Sequence, residues 1–276
     1  MLVPEKLSSI RIPTPHLLNV KSIRANQTIV TALAAALAGA PLLAYTISNY
    51  RQWLAIEPGG LPYNFFGYLL NALMRPLARA DTRVPAPYDR SKLAPLYGPE
   101  ASRSYFAGAQ PPAPRGGQRP EVPTFTVPQR QTSQKAAADT VRRETAFMEA
   151  LAAANPRLLR LRASAAEGGH HDALWLADGV PRPGRYLDGL QGEFAHPHGE
   201  GSAHVMLSLA DAEALVERGW AERHRLSGVL AAGISWGYVL VYAPRNEGEF
   251  EVWKEILLAS ARFIASASGE EVVVPV

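Results

Sequence analysis

Residues 25–50 carry no charge, and residues 29–47 are almost wholly apolar. A helix rising about 1.5 Å per residue over such a run covers the roughly 30 Å hydrocarbon core of a bilayer. A cleaved signal peptide ending near Ala38-Gly39-Ala40 would leave Pro41 just past the cut, and its polar lead of residues 1–26 would be long for that class. A buried soluble helix needs less length. The sequence therefore predicts a polar tail over 1–26 and a single-pass transmembrane helix over 27–50, in the endoplasmic reticulum or another endomembrane. Lys6, Arg11, Lys21 and Arg24 precede the span and Arg51, Arg75 and Arg79 follow it, so basic residues do not set its orientation.

Composition agrees with a partner membrane and narrows the chemistry. Charged residues are 19% and hydrophobic ones 47%, as suits a chain with a membrane-facing part. A net charge of +3 leans towards an anionic lipid surface and is too weak for a nucleic-acid partner. The chain has no cysteine, which excludes thiol nucleophiles, disulfides, iron–sulfur clusters and cysteine-based zinc sites.

Residues 51–130 read as a membrane-proximal apolar segment and a connector. Residues 61–77 are apolar and aromatic, ending on Arg75 and Arg79; they fit a helix lying at the membrane interface or a core helix of the globular part. Ten of the 23 prolines fall within 81–130, which reads as an irregular connector. Pro111-Pro112-Ala-Pro114-Arg-Gly-Gly excludes helix or central strand and predicts mobility at about 108–120, while Tyr88, Leu96, Tyr97, Tyr105 and Phe106 offer anchors for the rest to wrap the domain in extended form. From 131 to 276 the pattern turns globular. Thr132 or Ser133 caps a helix to Ala154; strands follow at 157–163 and 173–177 across a turn at 167–172; a third runs over 204–209. Ser208 with Asp211 opens a helix closed by Gly219, a strand covers 237–242, and Asn246 with Glu249 caps an amphipathic helix to about Ala265. The class is α+β: a small mixed or antiparallel sheet packed against helices, preceded by the transmembrane helix.

Four of seven histidines fall between Glu193 and Tyr242, beside Glu, Arg and Trp, which reads as a site because imidazole exchanges protons near neutral pH. His196 and His198, two apart on an extended segment with Glu200 and His204 nearby, can face one metal ion. The pattern departs from the cupin-type His-x-His-x3–4-Glu order, since Glu200 comes two residues after His198, and a site without metal is expected. His16, His170 and His171 read as surface or loop residues.

Glu193-Phe-Ala-His196-Pro-His198, Ala203-His204-Val, Gly219-Trp220-Ala-Glu-Arg223-His224 and Tyr242-Ala-Pro-Arg245-Asn246-Glu247 occur in an order that resembles the C-terminal domain of the fungal luciferases. Upstream, Asn49-Tyr-Arg-Gln-Trp53-Leu and Pro62-Tyr-Asn-Phe-Phe-Gly67-Tyr68 are similar to the region after that family's membrane anchor. The likeness extends over 29–264 and is weakest over 85–180. It implies oxidation of a hispidin-type 3-hydroxy-α-pyrone, or a related phenolic substrate, by O2 as co-substrate, without flavin or metal; the pyrone endoperoxide loses CO2 and leaves an excited product. Reaction of O2 with an organic molecule needs an electron-rich enolate, which a protein supplies by deprotonation in a dry, cationic pocket.

By that resemblance His196 or His198, oriented by Glu193, is the general base, and His204 heads a strand as base or hydrogen-bond partner. Arg223, His224 and Arg245 stabilise the enolate and peroxide charge, while Trp220, Trp236 and Tyr242 stack on the substrate and exclude water. Packing at a helix end (Trp220) and a capping turn (Tyr242 to Glu247) are the competing structural readings. Arg225 stands where the luciferases tend to have Pro, and residues 227–235 are Gly/Ala-rich where the family is Pro-rich. These departures leave the substrate and light emission open. The alternatives are a non-luminescent homologue that binds a lipophilic ligand or partner without catalysis, and a metal-dependent oxygenase using the histidines.

Overall fold

The computed structural model describes residues 20–184, 189–229 and 233–275. His16 and most of the N-terminal tail lie outside the described residues, as do residues 230–232 of the Gly/Ala-rich insertion. Two compact units meet at Arg51/Gln52. The first is dominated by α1 (Val20–Leu54), which carries Pro41 in its interior. Its stretch Asn26–Leu54 contains an 18-residue window of mean hydropathy 1.8 and is long and apolar enough to cross a membrane. Ile29, Leu33, Leu37 and Leu43 on it are exposed.

The second unit begins at Gln52. Helix α2 (Phe65–Met74) opens on Asn64, whose side chain accepts from the Phe66 and Gly67 amides, and it continues as a 3-10 turn to Leu77. It buries Gly67, Tyr68 and Asn71 and leaves Phe65, Phe66, Leu69 and Leu73 exposed. The connector holds a short helix α3 (Arg90–Tyr97) and then runs extended. The segment where mobility is expected is tied to the globular part. The Arg115 amide donates to Arg218 O at 2.8 Å, its guanidinium pairs with Glu249 at 3.0 Å, and Trp220 Nε1 donates to Ala113 O at 2.7 Å.

Helix α4 (Ala138–Ala154) starts later than Thr132 or Ser133, because those residues are engaged elsewhere. Thr132 N donates to Glu121 O and Ser133 Oγ accepts from Glu121 N, both at 2.8 Å, which holds this segment in a bend against Glu121 and delays the helix. Asn155 closes the helix by donating its amide to Leu151 O. The sheet has six strands: β1 (Leu159–Ala163), β2 (Asp172–Leu176), β3 (Glu193–Pro197), β4 (Ala203–Met206), β5 (Ala221–Arg223) and β6 (Tyr238–Val241). Their order is β1-β2-β3-β4-β6-β5, and every pairing is antiparallel. Strands β3 and β5 were not foreseen; both are short and broken by Pro or charge, so neither shows an apolar alternation.

Helix α5 (Leu209–Glu217) is capped by Ser208, whose hydroxyl accepts from the Asp211 amide. It ends before Gly219, whose φ of +80° needs a residue without Cβ. Helix α6 (Glu247–Ala265) begins where Asn246 Oδ1 accepts from the Glu249 amide at 3.0 Å. Side chains alternate across the sheet. Ala195, Ala203, Val205, Val239 and Val241 join Phe250, Trp253, Ile256 and Leu257 of α6 in the main core. The other face, with His196, His204 and Leu240 in register, is covered by the connector. Gln129 Nε2, for example, donates to Glu222 Oε1 at 3.2 Å.

Candidate active site

The register of one hairpin assembles the histidines. His196 of β3 stands opposite His204 of β4, and the turn between them closes with the His198 amide donating to Ser202 O at 2.8 Å. In a regular strand Glu193 and His196 would face opposite ways. The register shift where Leu174 opposes Ala195 but Trp175 opposes Glu193 makes Phe194 an extra residue. Such a bulge re-aims its neighbours, and Glu193 Oε1 thereby reaches His196 Nδ1 at 2.7 Å. Glu193 is fixed in turn by the Ser164 hydroxyl at 2.6 Å and the amides of Ala165 and Ala166.

His196 Nε2 lies 3.2 Å from His204 Nδ1 and 3.5 Å from Glu167 Oε1. His198 Nε2 lies 3.8 Å from the same carboxylate oxygen, whose other oxygen is paired with the buried guanidinium of Arg130. His204 Nε2 stands 3.4 Å from Gln129 Oε1. His224 Nδ1 accepts from the Leu226 amide at 3.1 Å, so the neutral ring carries its proton on Nε2. All of these groups are buried. Burial pushes the Glu167 carboxyl up, but His196, His198 and Arg130 outweigh it and hold it at about 2. Burial pushes His196 down, and Glu167 and Glu193 reverse this to about 8. Burial, with Arg130 and the other rings, drives His198 and His204 well below the ordinary value, and His224 falls to about 3. The result is several neutral imidazoles around one that is poised to be charged.

Glu167, His196, His204 and His224 form the polar side of a cavity of about 320 Å³. Leu61, Met74, Val127, Leu226, Ile234 and Tyr238 supply its apolar walls. Membrane-proximal segment, connector and sheet thus all contribute to one chamber. It has the form usual for a small-molecule site, a mostly apolar cleft with a few convergent polar groups.

The structure brings together five of the ten residues singled out from sequence, Glu193, His196, His198, His204 and His224. It places the other five elsewhere. Arg223 is buried and spends its guanidinium on backbone oxygens: Trp236 O at 2.5 Å, Val84 O at 3.3 Å, and Pro85 O. Trp220 packs at the end of α5 against Arg115. Tyr242 donates its hydroxyl to Glu222 at 3.0 Å. Arg245 pairs with Glu249 one helical turn on, its Nε 2.9 Å from Oε1. Trp236 lies beneath Arg79 and lines a second cavity of about 400 Å³ with Leu93, Tyr97 and Ile234. Glu167, Arg130, Gln129, Ser202 and Tyr238 complete the site and were not foreseen. Glu167 offered one signal, a carboxylate beside two glycines and two histidines in a turn; only the fold carries it next to β3.

The Luciferase domain family matches residues 191–260, the stretch that holds His196, His198, His204 and His224. A luciferase of Armillaria ostoyae is 29% identical, with 94% of this chain and 95% of the relative covered. A luciferase of Armillaria mellea is also 29% identical, over 88% and 91%, and one of Neonothopanus nambi 27%, over 82% and 83%. No solved structure matches. With likeness running the length of both chains and the domain match including the histidine hairpin, the chain carries a luciferase-type domain and is similar to the fungal luciferases throughout.

Proposed function

We propose that the protein is a membrane-anchored oxygenase that oxidises a hispidin-type 3-hydroxy-α-pyrone with O2 and releases CO2. The observation that carries this reading is the buried Glu193–His196–His204 chain opening, with Glu167 and His224, onto a cavity otherwise walled by apolar side chains. An enol needs a proton acceptor inside a dry chamber before its anion can give an electron to O2. Glu193 fixes the Nδ1 proton of His196, so Nε2 is the atom that takes a proton and shares it with His204. His224, with Nε2–H as its donor, and Arg130 behind Glu167 supply positive potential for the enolate and peroxide oxygens. Tyr238, stacked on His204 at 5.0 Å, gives the planar ring an aromatic wall. Both oxygen atoms enter the substrate, one CO2 leaves, and no flavin or other organic cofactor is required.

The apolar stretch of α1 supports an anchor, and the exposed Phe66, Leu69 and Leu73 of α2 support a helix lying on the lipid surface of an endomembrane. Leu61 and Met74, at either end of that segment, line the cavity, which suits a lipophilic pyrone arriving from the bilayer. The test is O2 consumption and light emission by the detergent-solubilised full chain with 3-hydroxyhispidin. Uptake with light establishes a luciferase. Uptake without light establishes an oxygenase whose product is quenched. No uptake with any 3-hydroxy-α-pyrone removes the reading and leaves a ligand-binding chamber.

A further inference from the structure

We propose that Glu167, His196, His198 and His204 bind one divalent transition-metal ion. One ligand atom from each lies within 4.8 Å of all the others, and all four residues are buried. Three measured separations are 3.2, 3.5 and 3.8 Å. Four donors at about 2.0–2.1 Å from a tetrahedral ion stand about 3.3–3.4 Å apart, so shifts well under 1 Å close the set.

The far side of each ligand is already held. Glu193 takes His196 Nδ1 at 2.7 Å, Ser202 takes His198 Nδ1 at 2.8 Å, Gln129 stands 3.4 Å from His204 Nε2, and Arg130 holds the second Glu167 oxygen. Outer partners of this kind fix tautomer and ring orientation in metal sites.

His198 supplies the independent observation. Ser202 gives its hydroxyl proton to Glu200, so it accepts the Nδ1 proton of His198. Nε2 is then a bare lone pair, buried and without a hydrogen-bond partner. Leaving such an atom unmatched is costly, and a cation satisfies it. A base role does not account for it, because His198 is not among the residues lining the cavity, whereas Glu167, His196 and His204 are. An ion held by this set occupies the His196 Nε2 lone pair, so the free base and the metal site are alternative states of one centre; the ion faces the chamber on one side, with a coordination position open to an oxygen-donor ligand such as an enolate. Three imidazoles and a carboxylate suit Fe2+, Co2+, Ni2+ or Zn2+ over Ca2+ or Mg2+.

The full chain, purified in detergent, is stripped with a chelator, reloaded with Zn2+ or Co2+, desalted and assayed for metal per chain, with the Co2+ absorption spectrum as a second readout. One equivalent and a tetrahedral or five-coordinate Co2+ spectrum are expected. Ser202→Ala, which keeps every ligand, is expected to weaken binding about 10–100-fold, and His198→Ala to abolish stoichiometric binding. His170→Ala, an exposed histidine of the neighbouring turn, keeps one equivalent. Less than a tenth of an equivalent of Zn2+, Co2+, Mn2+ and Fe2+ on the wild-type chain overturns the site, whatever the oxygen electrode reads. One equivalent without oxygen uptake upholds it and removes only the pyrone reading.

Discussion

Glu144 of α4 is fully buried, and neither carboxylate oxygen has a hydrogen-bond partner. Burial, reinforced by the charge of Glu200, pushes its pKa from the ordinary 4.5 to about 9. The folded protein therefore keeps this proton over a range in which the unfolded chain has lost it. Stability falls as pH rises from 4.5, by about 1.4 kcal/mol per pH unit, until the folded group itself ionises near 9. At pH 7, about 2.5 pH units above the unfolded value, the loss is about 3 kcal/mol. Glu144→Gln removes the titration while keeping size and polarity. Urea unfolding of the detergent-solubilised chain, followed by tryptophan fluorescence at pH 5, 6, 7 and 8, should show the variant overtaking the wild type by an amount that grows with pH. Other titrating groups cancel in that difference. A difference that stays flat across the series would refute the assignment of a protonated, desolvated carboxyl. The cost has a place in the site: Glu200 orients Ser202, and Ser202 orients His198.

Other perturbations have equally direct outcomes. Arg130→Met leaves Glu167 as a buried charge without its guanidinium and should cost about 3–5 kcal/mol in the same unfolding assay. Asn246→Ala removes the acceptor for the Glu249 amide and should cost about 1 kcal/mol without changing metal content or oxygen uptake. Leu61→Trp fills the cavity from its half-buried wall; it should raise KM for a pyrone by at least about tenfold and leave the unfolding midpoint within 0.5 kcal/mol.

The elements with local signals were legible. Asn246 with Glu249 and Ser208 with Asp211 mark two helix starts because a cap is a contact between near neighbours. The histidines of the β3–β4 hairpin stood out for the same reason, lying within nine residues of one another. Glu167 did not, since 29 residues separate it from His196 and only the β1–β2 turn brings them together. Arg223, Trp220 and Arg245 looked like site residues by type, yet each meets a need of the fold: orphan carbonyls for the arginine fork, a helix end for the indole, a neighbouring carboxylate for Arg245. The mobility expected at 108–120 fails for a physical reason: prolines interrupt regular elements there but do not forbid packing, and Arg115 pins the segment to Arg218 O and Glu249.

The most direct test of the central claim is the balance of gases in one reaction: O2 consumed and CO2 released by the full chain with 3-hydroxyhispidin, beside His196→Ala/His198→Ala. One CO2 per O2 for the wild type, and loss of both in the double variant with its fold intact by circular dichroism, is the predicted result. Undiminished turnover in the double variant, or O2 uptake without CO2, would contradict it.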